Sequence, residues 1–141
     1  MEQYVLLWNQ PELRKVSEKV EDFEYARVVV GTMLEILAIN NKAVGLSAPQ
    51  IGVSQRIVVA RKSGKLKPYV NPGIMWARGY IPSQEGCASI PGVYRWKLRR
   101  WKIVLSYQDL EGEAHEEVHR GLMSRILQHE IDHLDGKLII D

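Results

Sequence analysis

Hydrophobic residues recur at the period of an α-helix near both ends of the chain. From Asp22 to Asn40 the apolar positions fall three or four residues apart, and Asp22 is suited to cap the start of a helix. From Gly121 to Asp135 a second set shares one helical face, and Gly136 is well placed to end that helix. The residues that share one helical face are Ala26, Val29, Val30, Met33 and Leu37 in the first segment, and Leu122, Ile126, His129 and His133 in the second.

Between these helices the pattern changes to short apolar runs and to alternation, which are typical of β-strands. The run Ile57 to Ala60 precedes a turn at Ser63-Gly64, and Met75 to Ile81 predicts a further strand. Lys102 to Tyr107 alternates, and a return strand is predicted from Glu113 to Val118. The order of elements predicts an α+β fold: antiparallel β-sheets packed around a C-terminal metal-binding helix, with one N-terminal helix.

Length, charge and hydropathy limit the classes of protein to which this chain can belong. The 141 residues, 45% of them hydrophobic, fit a single catalytic domain over residues 1–141. A net charge of +2 is too small to predict nucleic-acid or membrane binding by itself. We find no apolar run of about 18 residues and no signal peptide. We therefore expect a cytoplasmic protein, with a processed organellar form as the alternative.

The C-terminal helix carries the sharpest chemical signal, the sequence His129-Glu130-Ile131-Asp132-His133. Residues four apart on a helix lie on the same side, so the two imidazoles are placed to bind one metal ion. A metal ion lowers the pKa of bound water, and the carboxylate of Glu130 is placed to take its proton. The alternative is a solvated helix face with incidental histidines.

A catalytic metal ion needs a third protein ligand. Cys87 is the only cysteine, and the small residues around it let the backbone approach a ligand closely. A buried inert thiol and a cysteine nucleophile are the alternatives. His115 and His119 are four apart in a segment that alternates like a strand, where that spacing separates them by about 13 Å. We expect these two histidines to be solvent-facing or to lie on an edge strand.

Two further segments allow more than one interpretation. From Gly45 to Gln50 small residues precede an amide, so the segment is either a wall for an extended peptide with Gln50 as oxyanion donor, or an ordinary loop. From Tyr94 to Lys102 basic residues alternate with aromatic ones, which is typical either of RNA contact or of a two-faced strand. In the strand interpretation one face carries Arg95, Lys97 and Arg99.

Three of these segments, those with Gln50, with Cys87 and with the histidine pair of the C-terminal helix, resemble the peptide deformylase family when taken in chain order. The family motifs are a Gly-rich segment ending in Gln, then Glu-Gly-Cys-x-Ser, then His-Glu-x-x-His, and here they stand at 45–50, 85–89 and 128–133. Tyr69-Val70-Asn71-Pro72 and Gly121-Leu122 match as well, so the resemblance covers nearly the whole chain. It is to the short form that lacks a C-terminal helix extension. The departures from the family pattern are Ala43, Ser47 and Ala88.

The resemblance implies removal of the N-formyl group from the formyl-methionine of newly made polypeptides, with release of formate. The implied metal ligands are Cys87, His129 and His133. The implied catalytic groups are Glu130 as general base and then acid, and Gln50 with the backbone N–H of Ala88 as oxyanion donors. The implied substrate contacts are the Gly45 backbone and, around the methionine side chain, Val44, Leu122 and Ile126.

The resemblance also implies one divalent metal ion, with Fe²⁺ preferred over Zn²⁺, Ni²⁺ or Co²⁺, and N-formyl-methionyl nascent peptides as partners. We expect a monomer without membrane contact. The basic stretch adds the hypothesis of a transient ribosome contact through Arg95, Lys97 and Arg99. Two other functions stay open: a different metal-dependent amidase or peptidase, and a catalytically inactive relative that binds peptides.

Overall fold

A computed structural model describes residues 5–141, which form two α-helices and one antiparallel five-stranded sheet. The helices are α1 (Phe23–Ala38) and α2 (Gly121–Leu134). The strands are β1 (Gly45–Ser47), β2 (Ile57–Lys62), β3 (Lys65–Cys87), β4 (Ile90–Gln108) and β5 (Ala114–Arg120), and they lie side by side in chain order. Short 3-10 helices span Pro11–Arg14 and Ala48–Ile51. The predicted α+β class is confirmed.

Both predicted helices form, with ends close to the expected residues. The Asp22 carboxylate accepts a hydrogen bond from the backbone N–H of Tyr25 (3.1 Å) and so caps α1. The middle of the chain differs from the prediction, because the segments 75–81 and 102–107 are no separate strands but parts of β3, which has 23 residues, and of β4, which has 19. Neither helix in the described part of the chain has the length and hydropathy needed to cross a membrane.

Strand β2 lies between the two helices and contributes to both parts of the core. Ile57 and Val59 pack with residues of α1, whereas Val58 and Ala60 pack on the other face with residues of α2. All four side chains are fully buried. A strand that is covered on both faces has no solvated side, which explains its uninterrupted apolar run in the sequence.

Helix α2 covers only one face of the part of the sheet formed by β3, β4 and β5. On β4, Ile103, Leu105 and Tyr107 are buried on the side of α2, and the residues between them point to the opposite face. That opposite face carries large exposed side chains at the end of the β3–β4 hairpin that lies near Cys87. These exposed side chains are Tyr80, Tyr94, Trp96 and Leu98.

The turn that ends α2 predicts a stability difference between two glycine substitutions. A Cβ at Gly136 (φ 75°) would lie 2.4 Å from the backbone oxygen of Arg14, whereas Gly64 (φ 78°), in the β2–β3 turn, has no atom within 4 Å of its Cβ position. Alanine costs about 1–2 kcal/mol in this backbone conformation at either site. Only Gly136→Ala adds a collision, so we expect it to lower the free energy of unfolding by at least about 2 kcal/mol more than Gly64→Ala. Urea denaturation measures both values, and equal losses would contradict the close packing of this turn on Arg14.

Candidate active site

Three side chains from two elements bring their ligand atoms close together. Cys87 ends β3, and His129 and His133 lie one turn apart on α2. The Sγ atom of Cys87 is 3.4 Å from Nε2 of His133, which in turn is 3.3 Å from Nε2 of His129. Ordinary metal–ligand bonds in a tetrahedral site separate two nitrogens by about 3.3 Å and a sulfur from a nitrogen by about 3.6 Å. The three atoms therefore fit a single metal ion.

A buried carboxylate orients the first of the two histidines. Oε1 of Glu85 lies 3.0 Å from Nδ1 of His129, and both Glu85 oxygens accept hydrogen bonds from Arg99 (2.6 and 2.8 Å). Burial by itself would raise the pKa of Glu85, but the hydrogen bonds from Arg99 and His129 hold that pKa well below its usual range. A carboxylate on Nδ1 leaves Nε2 of His129 free to point at the metal position.

Arg99 has a structural role that differs from its predicted one. It is 6% exposed and forms a further ion pair with Asp132 of α2 (2.6 Å). The prediction that Arg99 contacts a partner together with Arg95 and Lys97 is therefore wrong for Arg99. Alternation places all three basic residues on the face of β4 that carries Ile103, but only Arg99 is buried there, because it pairs with Glu85 and Asp132.

Glu130 and His133 are both buried in the site. The Glu130 side chain is 4% exposed, its Oε1 has no hydrogen-bond partner among residues 5–141, and burial raises its pKa to about 7. A carboxylate with a pKa near neutrality is suited both to accept and to return a proton. Burial lowers the pKa of His133 to about 3, so its imidazole is neutral, the form that binds a metal ion.

Gly45 provides the space that Glu130 occupies. A Cβ atom at Gly45 would lie 2.7 Å from Oε2 of Glu130, closer than side chains approach in proteins. The segment before Gln50 therefore contains glycine at the point where its backbone contacts the carboxylate. This contact joins two of the motifs that the sequence presents far apart.

The amide of Gln50 is held at both ends. Its Oε1 accepts hydrogen bonds from the backbone N–H (3.0 Å) and the hydroxyl (3.1 Å) of Ser47. Its Nε2 lies 3.2 Å from the hydroxyl of Ser89 and 3.5 Å from Sγ of Cys87. The donor end of the amide is thus directed toward the ligand cysteine, as an oxyanion donor requires. Ser47, a departure from the family pattern, contributes one of the bonds that orient it.

A cleft of about 480 Å³ opens over these groups. Every predicted catalytic or substrate-contacting residue lines it, and so do two of the three predicted metal ligands. Leu122 (61% exposed) and Val44 (48% exposed) form an apolar rim at its mouth. Tyr94 and Arg125, which were not among the predicted site residues, line it as well. The predicted residues on the cleft wall are Val44, Gly45, Gln50, Cys87, Ala88, Leu122, Ile126, His129 and Glu130.

The remaining two histidines lie on β5, an edge strand of the sheet, as one of the sequence interpretations proposed. His119 is buried and contacts Glu117 (2.9 Å), and the exposed His115 contacts Asp109 (2.8 Å). With Glu113 the latter pair forms a second group of ligand-type side chains, which is solvent-exposed apart from Asp109. Neither histidine joins the cleft.

Comparison with known proteins agrees with the geometry of this cleft. The family model for polypeptide deformylase matches residues 3–141. A peptide deformylase of Thermus thermophilus is 38% identical over 154 aligned positions, which cover 97% of this chain and 80% of the relative.

Solved structures give the same result. The crystal structure of peptide deformylase from Thermotoga maritima superposes with a TM-score of 0.92 at 35% identity, covering 97% of this chain and 94% of that one. A probable peptide deformylase from Synechococcus phage S-SSM7 superposes with a TM-score of 0.89 at 31% identity, covering 97% of both chains. The similarity extends over the strand end that carries Cys87 and the helix that carries both histidines. The chain therefore belongs to the peptide deformylase family, the metal-dependent hydrolases that remove the N-formyl group from nascent polypeptides.

Proposed function

We propose that Cys87, His129 and His133 bind one divalent metal ion. We further propose that this chain hydrolyses the formyl amide of nascent peptides at this site. The observation that carries the proposal is the spacing of the ligand atoms: Nε2 of His133 lies 3.4 Å from Sγ of Cys87 and 3.3 Å from Nε2 of His129, with the buried carboxylate of Glu130 next to them. A divalent ion bound there supplies Lewis acidity, which lowers the pKa of water and polarises a carbonyl. The surrounding side chains then perform the proton transfer and the charge stabilisation.

Glu130 is the proposed proton carrier. Its buried carboxylate takes a proton from the attacking water and returns it to the amine nitrogen that leaves. The Oε1 atom, which has no partner among residues 5–141, is available as the acceptor, and the absence of a side chain at Gly45 leaves the space that Oε2 occupies. The negative charge that develops on the formyl oxygen is stabilised by the amide of Gln50 and the backbone N–H of Ala88.

The substrate is proposed to bind as an added strand. Gly45 lies on β1, which is the edge strand of the sheet and pairs only with β2. An edge strand offers backbone groups to an extended peptide, and its side chains then set specificity. Val44, Leu122 and Ile126 would receive the methionine side chain, since all three line the cleft next to Glu130.

Several finer properties are proposals that rest on the family resemblance and on composition. We propose Fe²⁺ as the bound ion, although a thiolate with two imidazoles also suits Zn²⁺, Ni²⁺ and Co²⁺ and supply in the cell selects among them. We further propose a cytoplasmic monomer in which residues 1–141 form one catalytic domain. Ribosome contact through Arg95 and Lys97 stays a prediction.

Replacement of the proposed base tests the mechanism. We expect Glu130→Gln to lower kcat/KM for a short formyl-Met peptide at least about a hundredfold, because the amide cannot accept the proton. The metal content per chain, measured by mass spectrometry, should be unchanged. Glu111→Gln, at an exposed turn, is the matched control and should keep full activity. If Glu130→Gln stays within about tenfold of the parent, Glu130 is not the base; an inactive parent that holds one metal ion would contradict the substrate assignment.

The close contact of Gly45 with Glu130 gives a second test. We expect Gly45→Ala to lower kcat/KM at least about tenfold, since the added methyl group would displace the carboxylate from its position. Gly31→Ala on α1, where no atom lies within 4 Å of the added Cβ, is the control and should leave kcat/KM unchanged. Undiminished activity of Gly45→Ala would show that the carboxylate has more freedom than the contact implies.

The identity of the metal ion predicts a sensitivity to oxygen. Protein loaded anaerobically with Fe²⁺ should lose activity faster in air than under nitrogen, because Fe²⁺ oxidises and a Cys87 thiolate released from it is then open to oxidation. A Zn²⁺-loaded sample should decay equally slowly in both atmospheres, since Zn²⁺ has no redox chemistry. Half-lives are measured from the residual deformylation rate. Equal half-lives of the Fe²⁺ sample in both atmospheres would count against Fe²⁺ as the working ion.

A further inference from the structure

In the part of the chain that the structure describes, no element covers one face of the β3–β4 hairpin. This surface, which we call the open face, consists of the alternate residues of β3 from Trp76 to Gln84 and of β4 from Tyr94 to Lys102 that point away from α2. Helix α1 packs on the same side of the sheet, against β1, β2, the first part of β3 and the β4–β5 turn at Leu110. The proposed hydrolysis uses no residue of the open face.

The open face presents aromatic rings to solvent. Trp96 is 68% exposed, Tyr94 65% and Tyr80 63%, and Leu98 beside them is 67% exposed. Tyr94 and Trp96 are two residues apart on one strand, so their side chains stand about 6.6 Å apart on the same side. A contiguous group of large exposed apolar side chains marks a site of interaction rather than an ordinary surface.

Cations lie toward one end of this group of rings, since Lys102 is close to the ring of Trp76 but six residues, or about 20 Å, along β4 from Trp96. Arg78, Lys102 and Arg120 form a row across β3, β4 and β5, because Lys102 is the direct neighbour of Arg78 on one side and of Arg120 on the other. Like charges at directly opposed positions destabilise a sheet. Within residues 5–141 none of the three takes part in an ion pair. The guanidinium of Arg100 adds a fourth cation, 4.3 Å from the ring centre of Tyr80.

We propose that the open face binds single-stranded RNA, with bases stacked on the exposed rings and phosphates bound by the row of cations. Exposed aromatic side chains interleaved with Lys and Arg on a sheet are the arrangement by which proteins hold unpaired bases. An acidic protein would satisfy the cations but would leave the rings without a partner. Among polyanions we propose RNA, because the nascent-peptide substrates of the family are produced on ribosomal RNA.

This surface differs from the one that the basic stretch suggested. Arg95 and Lys97 lie on the other side of β4, and Lys97 donates to the backbone oxygen of Asp141 (3.0 Å). Tyr94 belongs to the open face and also lines the cleft. RNA on the open face would therefore lie beside the mouth of the cleft, although its binding needs neither the metal ion nor hydrolysis.

The test is fluorescence anisotropy of a labelled single-stranded RNA of about 12 nucleotides with the whole protein, at salt concentrations between about 50 and 200 mM. Four phosphate contacts predict a slope of log K against log salt near about −3.

Trp96→Ala should weaken binding about tenfold through the loss of one stacking platform. Lys102→Gln should reduce the slope by about 0.7. Arg95→Gln makes the same change of charge on the opposite side of the strand and should leave the slope unaltered.

Deformylation of a formyl-Met peptide should be unchanged in all three variants, which confirms that each is folded. The absence of RNA binding at the lowest salt would overturn the proposal. So would equal loss in Lys102→Gln and Arg95→Gln, because binding would then follow net charge alone. Tighter binding to duplex RNA, to single-stranded DNA or to phosphatidylserine vesicles would assign the face to another ligand. A Trp96-dependent dimer in sedimentation, without RNA binding, would instead assign it to a second copy of this chain.

Discussion

The active site depends on a buried group of charges that joins the sheet to the C-terminal helix. Arg99 of β4 binds Glu85 of β3 through two hydrogen bonds and Asp132 of α2 through a third, and Glu85 in turn contacts His129. Removing one partner from such a buried pair costs about 3–5 kcal/mol, because the charge that remains has no compensation. Glu85 lies two residues before Cys87, so one carboxylate positions the ligand cysteine and a ligand histidine together. The fold thereby brings metal ligands from two elements into register.

Next to this group of charges, the site departs from the rule that buried polar groups are hydrogen-bonded. A carboxylate buried without a full set of hydrogen bonds, as Glu130 is, destabilises a folded protein. His133 likewise has a buried Nδ1 without a partner in the described part of the chain. Groups of this kind are retained where chemistry needs them: Glu130 lines the cleft, and His133 is one of the three clustered ligand residues beside it. The buried polar groups without partners are therefore found where the proposed chemistry takes place.

The sequence allowed the helices and the ligand set to be predicted because both depend on local spacing. The period of apolar residues predicts α1 and α2, and an i, i+4 pair of histidines on a helix needs no knowledge of tertiary structure. Partners that lie far apart in sequence are harder to predict. Arg99 was assigned to a basic surface together with Arg95 and Lys97, which share its face of β4, and only its partners Glu85 and Asp132, from other parts of the chain, place it inside. The two bonds from Ser47 to Gln50 and the contact of Gly45 with Glu130 depend on how the chain returns to the site, which periodicity does not contain.

The placement of β2 between the two helices has a consequence for how the molecule opens. Because neighbouring residues of this strand, such as Val58 and Val59, belong to different halves of the core, neither half can separate without exposing the same backbone. The halves are thus bound into one cooperative unit, and the amide hydrogens of β2 exchange with solvent only when the whole domain unfolds. Local excursions are left to elements outside that unit, so the cleft can admit a peptide at its edge strand while the residues around the ligand cluster keep their arrangement.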